Sequence, residues 1–267
     1  MNKILLIGCG NLGSLLLDSW TKKRFKITII EKDNRIIKKI KNKYKQQPIF
    51  SNINKIKVKE FNFIVLCVKP VDFKNTIRSI NNFIEPKQVI ISLVAGLKRN
   101  IIRDYLSSKN TICRIMPNIF SSVESSSTAI YVDNKNKALR KQISGLFKYF
   151  GNYVFLEKES ELDFFTAFFG GGPAYIFLFM KILKKIMNDH KLFSSDDNDL
   201  LFSLFEGSII YLKKNKDIEL NIKRVASKGG TTEEALKYLI KGDKLLNLMQ
   251  DAIRKATLKS KLISESF

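Results

Sequence analysis

The run Gly8-Cys9-Gly10-Asn11-Leu12-Gly13 stands between an apolar stretch, residues 3–7, and a segment in which Leu12, Leu15, Leu16 and Trp20 recur at helical spacing. A G-x-G-x-x-G at a strand-to-helix turn admits few folds, because each glycine answers a separate backbone demand. Gly8 permits the tight turn, Gly10 lets an anion approach the main chain, and Gly13 lets the helix pack close to the strand. The expected anion is a dinucleotide pyrophosphate resting on the helix N-terminus. A second apolar run, residues 26–30, completes a β-α-β unit and ends at Glu31, 18 residues past Gly13. An acid there accepts hydrogen bonds from ribose hydroxyls and repels a 2′-phosphate, which favours NADH over NADPH. Lys32, Asn34 and Arg35 follow at once and can bind that phosphate, so NADPH or NADH both stay open.

Further strands are expected at residues 63–68, 88–93, 111–115, 128–132 and 153–155, separated by helical patterns such as 71–83 and 137–150. This alternation predicts a largely parallel sheet covered by helices, an α/β Rossmann domain over residues 1–157. Beyond it strand-like runs cease, and helical patterns at 175–189, 199–214 and 244–262 predict an all-helical domain over residues 158–267. That domain is small and rich in apolar aromatics (Phe164, Phe165, Phe168, Phe169, Phe177, Phe179, Phe202, Phe205), so it is expected to bury surface against another subunit.

The 267 residues are 45% apolar, which excludes a disordered chain. No stretch reaches the roughly 18 consecutive apolar residues of a membrane span, since glycines, Pro173 and Lys181 interrupt the Phe-rich region, and the four apolar residues before Gly8 are too few for a secretory signal. Three cysteines without C-x-x-C spacing and a single histidine, His190, disfavour disulfides and any metal site, and the expected compartment is a reducing cytosol, a cytoplasmic location. His190 lies in a polar helix-end segment and reads as a surface residue. The net charge of +22 raises a nucleic-acid partner, but 38 of the 47 basic residues are Lys and only 9 are Arg, whereas base reading favours the planar Arg fork. The dense run at residues 35–45 keeps apolar residues on one helical face, so it is read as a solvated helix. No nucleic acid and no membrane are expected as partners.

Three segments end predicted strands, where open α/β sheets bind ligands: Val68-Lys69-Pro70, residues 92–96 (SLVAG) and residues 114–118 (RIMPN). In the helical half, Gly170-Gly171-Gly172-Pro173 reads as a break between helices. Ser227-Lys228-Gly229-Gly230-Thr231-Thr232 reads equally as a capped helix start or as a small anion site suited to a substrate carboxylate.

The ordered set GCGNLG, VKP, SLVAG, RIMPN, TAFFGGGPAY and SKGGTTEEAL resembles the pyrroline-5-carboxylate reductase family over nearly the whole chain. The resemblance implies reduction of the C=N bond of 1-pyrroline-5-carboxylate to L-proline by hydride from NADPH or NADH, and a helical domain that forms a homodimer or higher homo-oligomer. By the same resemblance Ile7, Gly8, Cys9, Gly10, Asn11, Leu12 and Gly13 bind cofactor, as do Glu31, Asn54, Val68, Lys69, Pro70, Ala95 and Gly96. Glu159, Ser227, Gly230, Thr231 and Thr232 are implied at the substrate, with Thr232 orienting the ring nitrogen or relaying a proton from water. Departures from the family pattern are Lys228 for Pro, Gly171 for Ser, Lys181 for Glu, Phe120 for Pro, and Arg224 for a neutral polar residue. They bear on rate and cofactor preference.

Two other readings compete. A reductase of another imine or a β-hydroxyacid dehydrogenase shares the fold, but the latter's catalytic Lys position after Gly172 holds Ile176. A dinucleotide-sensing regulatory or nucleic-acid-binding protein accounts for the charge and leaves SKGGTT and GGGPAY unexplained.

Overall fold

The computed structural model describes residues 3–134, 136–190 and 198–265. It contains β1 (Lys3–Ile7), α1 (Asn11–Lys22), β2 (Lys26–Ile30), α2 (Asn34–Lys43), β3 (Ile49–Phe50), β4 (Phe63–Leu66), α3 (Phe73–Ile80), β5 (Val89–Ser92), α4 (Arg99–Asp104), β6 (Thr111–Met116), β7 (Ser126–Val132), α5 (Lys137–Phe147) and β8 (Gly151–Phe155). Helices follow: α6 (Glu161–Phe165), α7 (Gly172–Asp189), α8 (Asn198–Lys214), α9 (Ile218–Val225), α10 (Thr231–Ile240) and α11 (Lys244–Glu265).

The eight strands form one sheet in the order β3-β2-β1-β4-β5-β6-β7-β8. All neighbours are parallel except β6 and β7. The order reverses at β1, which pairs with β2 on one side and β4 on the other, so a crevice opens beyond the C-terminal ends of β1 and β4. Strand β1 is apolar throughout because both its faces are covered: Ile4 and Leu6 join a core with Leu16, Leu17, Trp20 and Phe147, while Leu5 and Ile7 join one with Phe73, Ile77 and Ile102. Trp20 is fully buried, donates Nε1–H to the Leu146 carbonyl at 2.8 Å and meets Phe147 and Phe150 edge-on.

The structure refines the expected elements in three places. The two-residue strand β3 is too short to carry an alternation in sequence, and the antiparallel β7 reverses the end of a sheet expected to be largely parallel. The expected break at Gly170–Pro173 is instead a π-helical turn, Thr166–Gly170, in which Gly171 N–H reaches back five residues to the Thr166 carbonyl at 3.0 Å. The helical stretch Glu161–Asp189 therefore runs on for 29 residues, long and apolar enough to cross a membrane by length and composition, although its sequence lacks an unbroken apolar run.

The chain divides into two compact units, residues 1–173 with 255–267, and residues 174–254. In the second unit the helices leave large apolar side chains uncovered: Phe177, Phe179, Ile182, Ile186 and Phe202 are each about half exposed. Phe165, by contrast, is buried beside Leu162 and Ala129.

Candidate active site

Gly8 takes φ +88°, and its N–H donates to the Ile30 carbonyl at 2.9 Å; a Cβ there would lie 2.6 Å from the Cys67 carbonyl oxygen. Gly13 is equally confined, since its Cβ would stand 2.4 Å from the Gly8 oxygen, so α1 can seat against the turn only with glycine at both positions. Gly10 differs: nothing lies within 4 Å of a Cβ built on it. It caps α1 without a side-chain hydrogen bond, so the first-turn N–H groups and the positive end of the helix dipole face open space that a side chain would fill. That cradle fits a pyrophosphate.

A cleft of about 540 Å³ opens beside this turn. Ile7, Gly8, Gly10, Glu31, Val68 and Lys69 line it, together with residues the sequence reading did not single out, among them Asp33, Ile36, Asn52, Ile53, Asp72 and Thr76. Cys9, Asn11, Leu12 and Gly13 build the turn and helix behind it. Pro70, Asn54, Ala95 and Gly96 are outside its lining: Pro70 opens the short turn before α3, and Asn54 N–H donates to the Asn52 side chain at 2.9 Å.

Glu31 reaches back across the turn. One carboxylate oxygen accepts from Cys9 N–H at 2.7 Å, and the other accepts from Lys32 N–H at 2.7 Å and Asp33 N–H at 3.0 Å. Asp33 caps α2 through Arg35 N–H at 2.8 Å and holds the Arg35 guanidinium at 2.9 Å. The hydrogen bond from that guanidinium, reinforced by Arg35 N–H, lowers the Asp33 carboxyl to about 2. Burial, then the charge of Glu31, pushes the Cys9 thiol up to about 12, and burial likewise raises Cys67 to about 12. Neither thiol supplies a thiolate near neutral pH. Among the described residues no group of three or more His, Cys, Asp or Glu side chains is placed to hold a metal ion.

Glu159 belongs to the first unit and is held within it. Its Oε1 accepts from Arg99 N–H at 2.6 Å and from Nη1 of the buried Arg114 at 2.9 Å, so the RIMPN arginine balances its charge. Asn118 of the same motif donates to the Phe169 carbonyl at 3.0 Å and pins the π-helical turn. Nothing in the RIMPN motif itself reveals these roles of Arg114 and Asn118, because their partners lie 45 and 51 residues away in sequence.

Ser227, Gly230, Thr231 and Thr232 lie together in the second unit. Gly229 adopts φ +74°, Gly230 N–H closes a turn on the Ser227 carbonyl at 2.9 Å, and Gly230 caps α10 with no side-chain hydrogen bond. Glu233 reaches back to accept from Gly229 N–H at 2.9 Å, which holds its carboxyl below the usual range. The turn before α10 is thus tied to the helix by Glu233, while the hydroxyls of Thr231 and Thr232 carry no hydrogen bond among the described residues. His190 is exposed, as are Lys181 and Lys228, and Arg224 contacts Asn221 at 3.2 Å.

Residues 159–263 match the family described as pyrroline-5-carboxylate reductase dimerisation, and residues 3–96 match NADP oxidoreductase coenzyme F420-dependent. Pyrroline-5-carboxylate reductase 1 of Bacillus subtilis is 28% identical over 217 residues, 79% of this chain and 71% of that protein. The 1-pyrroline-5-carboxylate reductase of Streptococcus pyogenes superposes with a TM-score of 0.85 at 25% identity over 97% of this chain and 98% of that one. The Plasmodium falciparum pyrroline carboxylate reductase, solved with NADP bound, gives 0.83 at 23% identity over 98% of both chains. With a dinucleotide cradle at one end of the chain and a match to the dimerisation segment at the other, the chain is similar to the pyrroline-5-carboxylate reductases over most of its length.

Proposed function

We propose that this chain reduces the C=N bond of 1-pyrroline-5-carboxylate to L-proline with NADPH or NADH. The observation that carries this reading is the open cradle at Gly10 in a chain whose residues 159–263 match the family's dimerisation segment.

When bound, the reduced nicotinamide cofactor supplies the hydride. The first-turn N–H groups of α1, open at Gly10, hold its pyrophosphate, Glu31 its ribose, and Asn54, Val68, Lys69, Pro70, Ala95 and Gly96 complete its surroundings. Ser227, Gly230, Thr231 and Thr232 receive the substrate carboxylate on the uncapped start of α10, and Thr232 orients the ring nitrogen or passes it a proton from water. Glu159 stands near the substrate with its charge balanced by Arg114. Of the two cofactors we assign the preference to NADH. Glu31 already fills three backbone donors that would otherwise attract a 2′-phosphate, and Asp33 neutralises Arg35.

The functional boundary falls at residues 157/158, just before the dimerisation match begins. The half-exposed aromatics of α7 and α8 support a homodimer or larger homo-oligomer, with a second copy rather than lipid covering them. Three unpaired cysteines suit a reducing cytoplasm. The Lys-rich excess suits attraction of anionic metabolites better than nucleic acid.

The test is absorbance at the reduced-nicotinamide band as purified protein meets 1-pyrroline-5-carboxylate, run in parallel with NADH and NADPH. Oxidation with proline formation, faster with NADH, is expected. Binding of a cofactor without oxidation would point to a sensor instead.

A further inference from the structure

Gly96 ends the loop that follows β5, on the same side of the parallel sheet as the Gly8–Gly13 turn, because β1, β4 and β5 run parallel in register. The loop is only partly self-supporting. Leu93, Val94 and Leu97 are buried, Ala95 is partly exposed, and Gly96 turns through φ +73°. What covers Gly96 is the last turn of α11. A Cβ on Gly96 would lie 2.6 Å from Ile263 Cγ2 and 3.2 Å from the Ser260 carbonyl oxygen, so the helix rests directly on the loop backbone.

Two buried serines fix that contact. Ser264 donates its hydroxyl to the Gly96 carbonyl, 168 residues away in sequence, in preference to the Ser260 carbonyl at 3.4 Å in its own helix. Ser260, one turn earlier, donates to the carboxylate of buried Asp163 on α6 at 2.7 Å. A serine inside a helix ordinarily bonds its own i−4 carbonyl or solvent. Here both hydroxyls leave the helix for partners elsewhere in the fold. Within the unit of residues 1–173 and 255–267, the end of α11 is thus pinned at two points, and one of them is the backbone of the Ala95–Gly96 loop.

We propose that Ser264, with Ile263 packed beside it, is a positioning residue for cofactor binding: the C-terminal turn of α11 holds the Ala95–Gly96 loop in the left-handed conformation that presents Ala95 to the cofactor. This rests on the reading of that loop as a cofactor contact. Ser264 touches neither substrate nor cofactor in this assignment. It acts through the Gly96 carbonyl, as supporting hydrogen bonds commonly act on a binding group.

The test compares Ser264→Ala and Ser264→Thr in steady-state kinetics, alongside hydrogen exchange of the unaltered full-length protein with and without NADH. Ser264→Ala should raise the cofactor KM roughly 3- to 10-fold, the scale of one lost hydrogen bond, with kcat changed less than about twofold. Ser264→Thr, which keeps the hydroxyl, should restore most of the loss. In the unaltered protein, NADH should slow exchange in residues 93–97 and 258–264 together with the Gly8–Gly13 turn. An unchanged cofactor KM in Ser264→Ala, or equal loss in both variants, would overturn the assignment. If the variants do not fold, exchange decides: slowing at Gly8–Gly13 with none at 258–264 overturns it. No slowing at either place removes the cofactor reading itself, and this proposal with it.

Discussion

Asp33, which lines the cleft beside the glycine turn, holds the guanidinium of Arg35, two residues on, in an ion pair of 2.9 Å that turns this arginine toward its own helix cap. Asp33→Asn keeps a good helix cap, since Asn caps about as well as Asp, but releases the guanidinium. The ratio of kcat/KM for NADPH to that for NADH should rise roughly two- to fivefold, the scale of an exposed charge interaction. An unchanged ratio would mean that Arg35 does not meet the cofactor.

The same pair fixes a pH dependence. The Asp33 carboxyl is depressed to about 2, first through the Arg35 side-chain hydrogen bond. A depressed carboxyl contributes its stabilisation above its unfolded value, about 4, and loses it as the pH falls through about 2. The cap and the pair should therefore persist through mild acid. An NMR titration of the Asp33 carboxyl should give a midpoint near 2; a midpoint near the ordinary value would show that the pair does not hold in solution.

Gly10 and Gly13 should separate binding from folding. Gly10→Ala meets no steric obstacle, so its melting temperature should fall only by the small cost of an alanine at the helix cap while the cofactor Kd rises about tenfold or more. Gly13→Ala forces a Cβ against the Gly8 carbonyl and should lower stability by about 1–3 kcal/mol. Thermal melts with cofactor titrations read both, and a fall in melting temperature for Gly10→Ala as large as that for Gly13→Ala would contradict the open cradle.

The glycine turn was legible in the sequence because its constraints are local: a left-handed φ and close backbone approaches leave glycine as the residue that fits. Strands β1 and β2 were legible for a related reason, since burial on both faces demands unbroken apolar runs. What escaped is non-local. Glu31 was readable as an acid at a strand end, but not its three backbone donors or the neutralisation of Arg35 by Asp33. The balance of Glu159 by Arg114 joins residues 45 apart, and the bond from Ser264 to Gly96 joins residues 168 apart. No periodicity records such pairings. The π-helical turn was hidden for another reason: three glycines and a proline read as a stop, yet glycines at 170–172 and a proline at the second position of α7 also suit a helix that widens and continues.

Trp20, the single tryptophan, reports on the sheet-bearing unit alone. It is fully buried, so its emission should be blue-shifted in the native state and move to the red on denaturation. Trp20→Phe removes the donor to the Leu146 carbonyl and should cost about 1–3 kcal/mol, whereas Trp20→Ala should cost about 3–5 kcal/mol through the cavity left between Phe147 and Phe150. Chemical denaturation followed by circular dichroism measures both, and equal losses would show that packing around the indole is looser than the edge-on contacts indicate.

Helix α7 carries the sharpest prediction about assembly. Phe177, Phe179, Ile182 and Ile186 are each about half exposed in the isolated chain, and covering the remaining half of one such side chain is worth about 0.8–1.5 kcal/mol. If a second copy covers them, sedimentation should give a mass that is a multiple of 30.7 kDa. Phe177→Asp would place an unpaired charge in that interface and should weaken association by more than about a hundredfold, releasing monomers whose Trp20 emission remains native. Because the same helix is apolar enough to enter a bilayer, vesicle flotation of both proteins completes the experiment. A parent that remains monomeric in dilute solution but floats with vesicles, and an aspartate variant that does not, would replace the second copy with lipid as the occupant of this face.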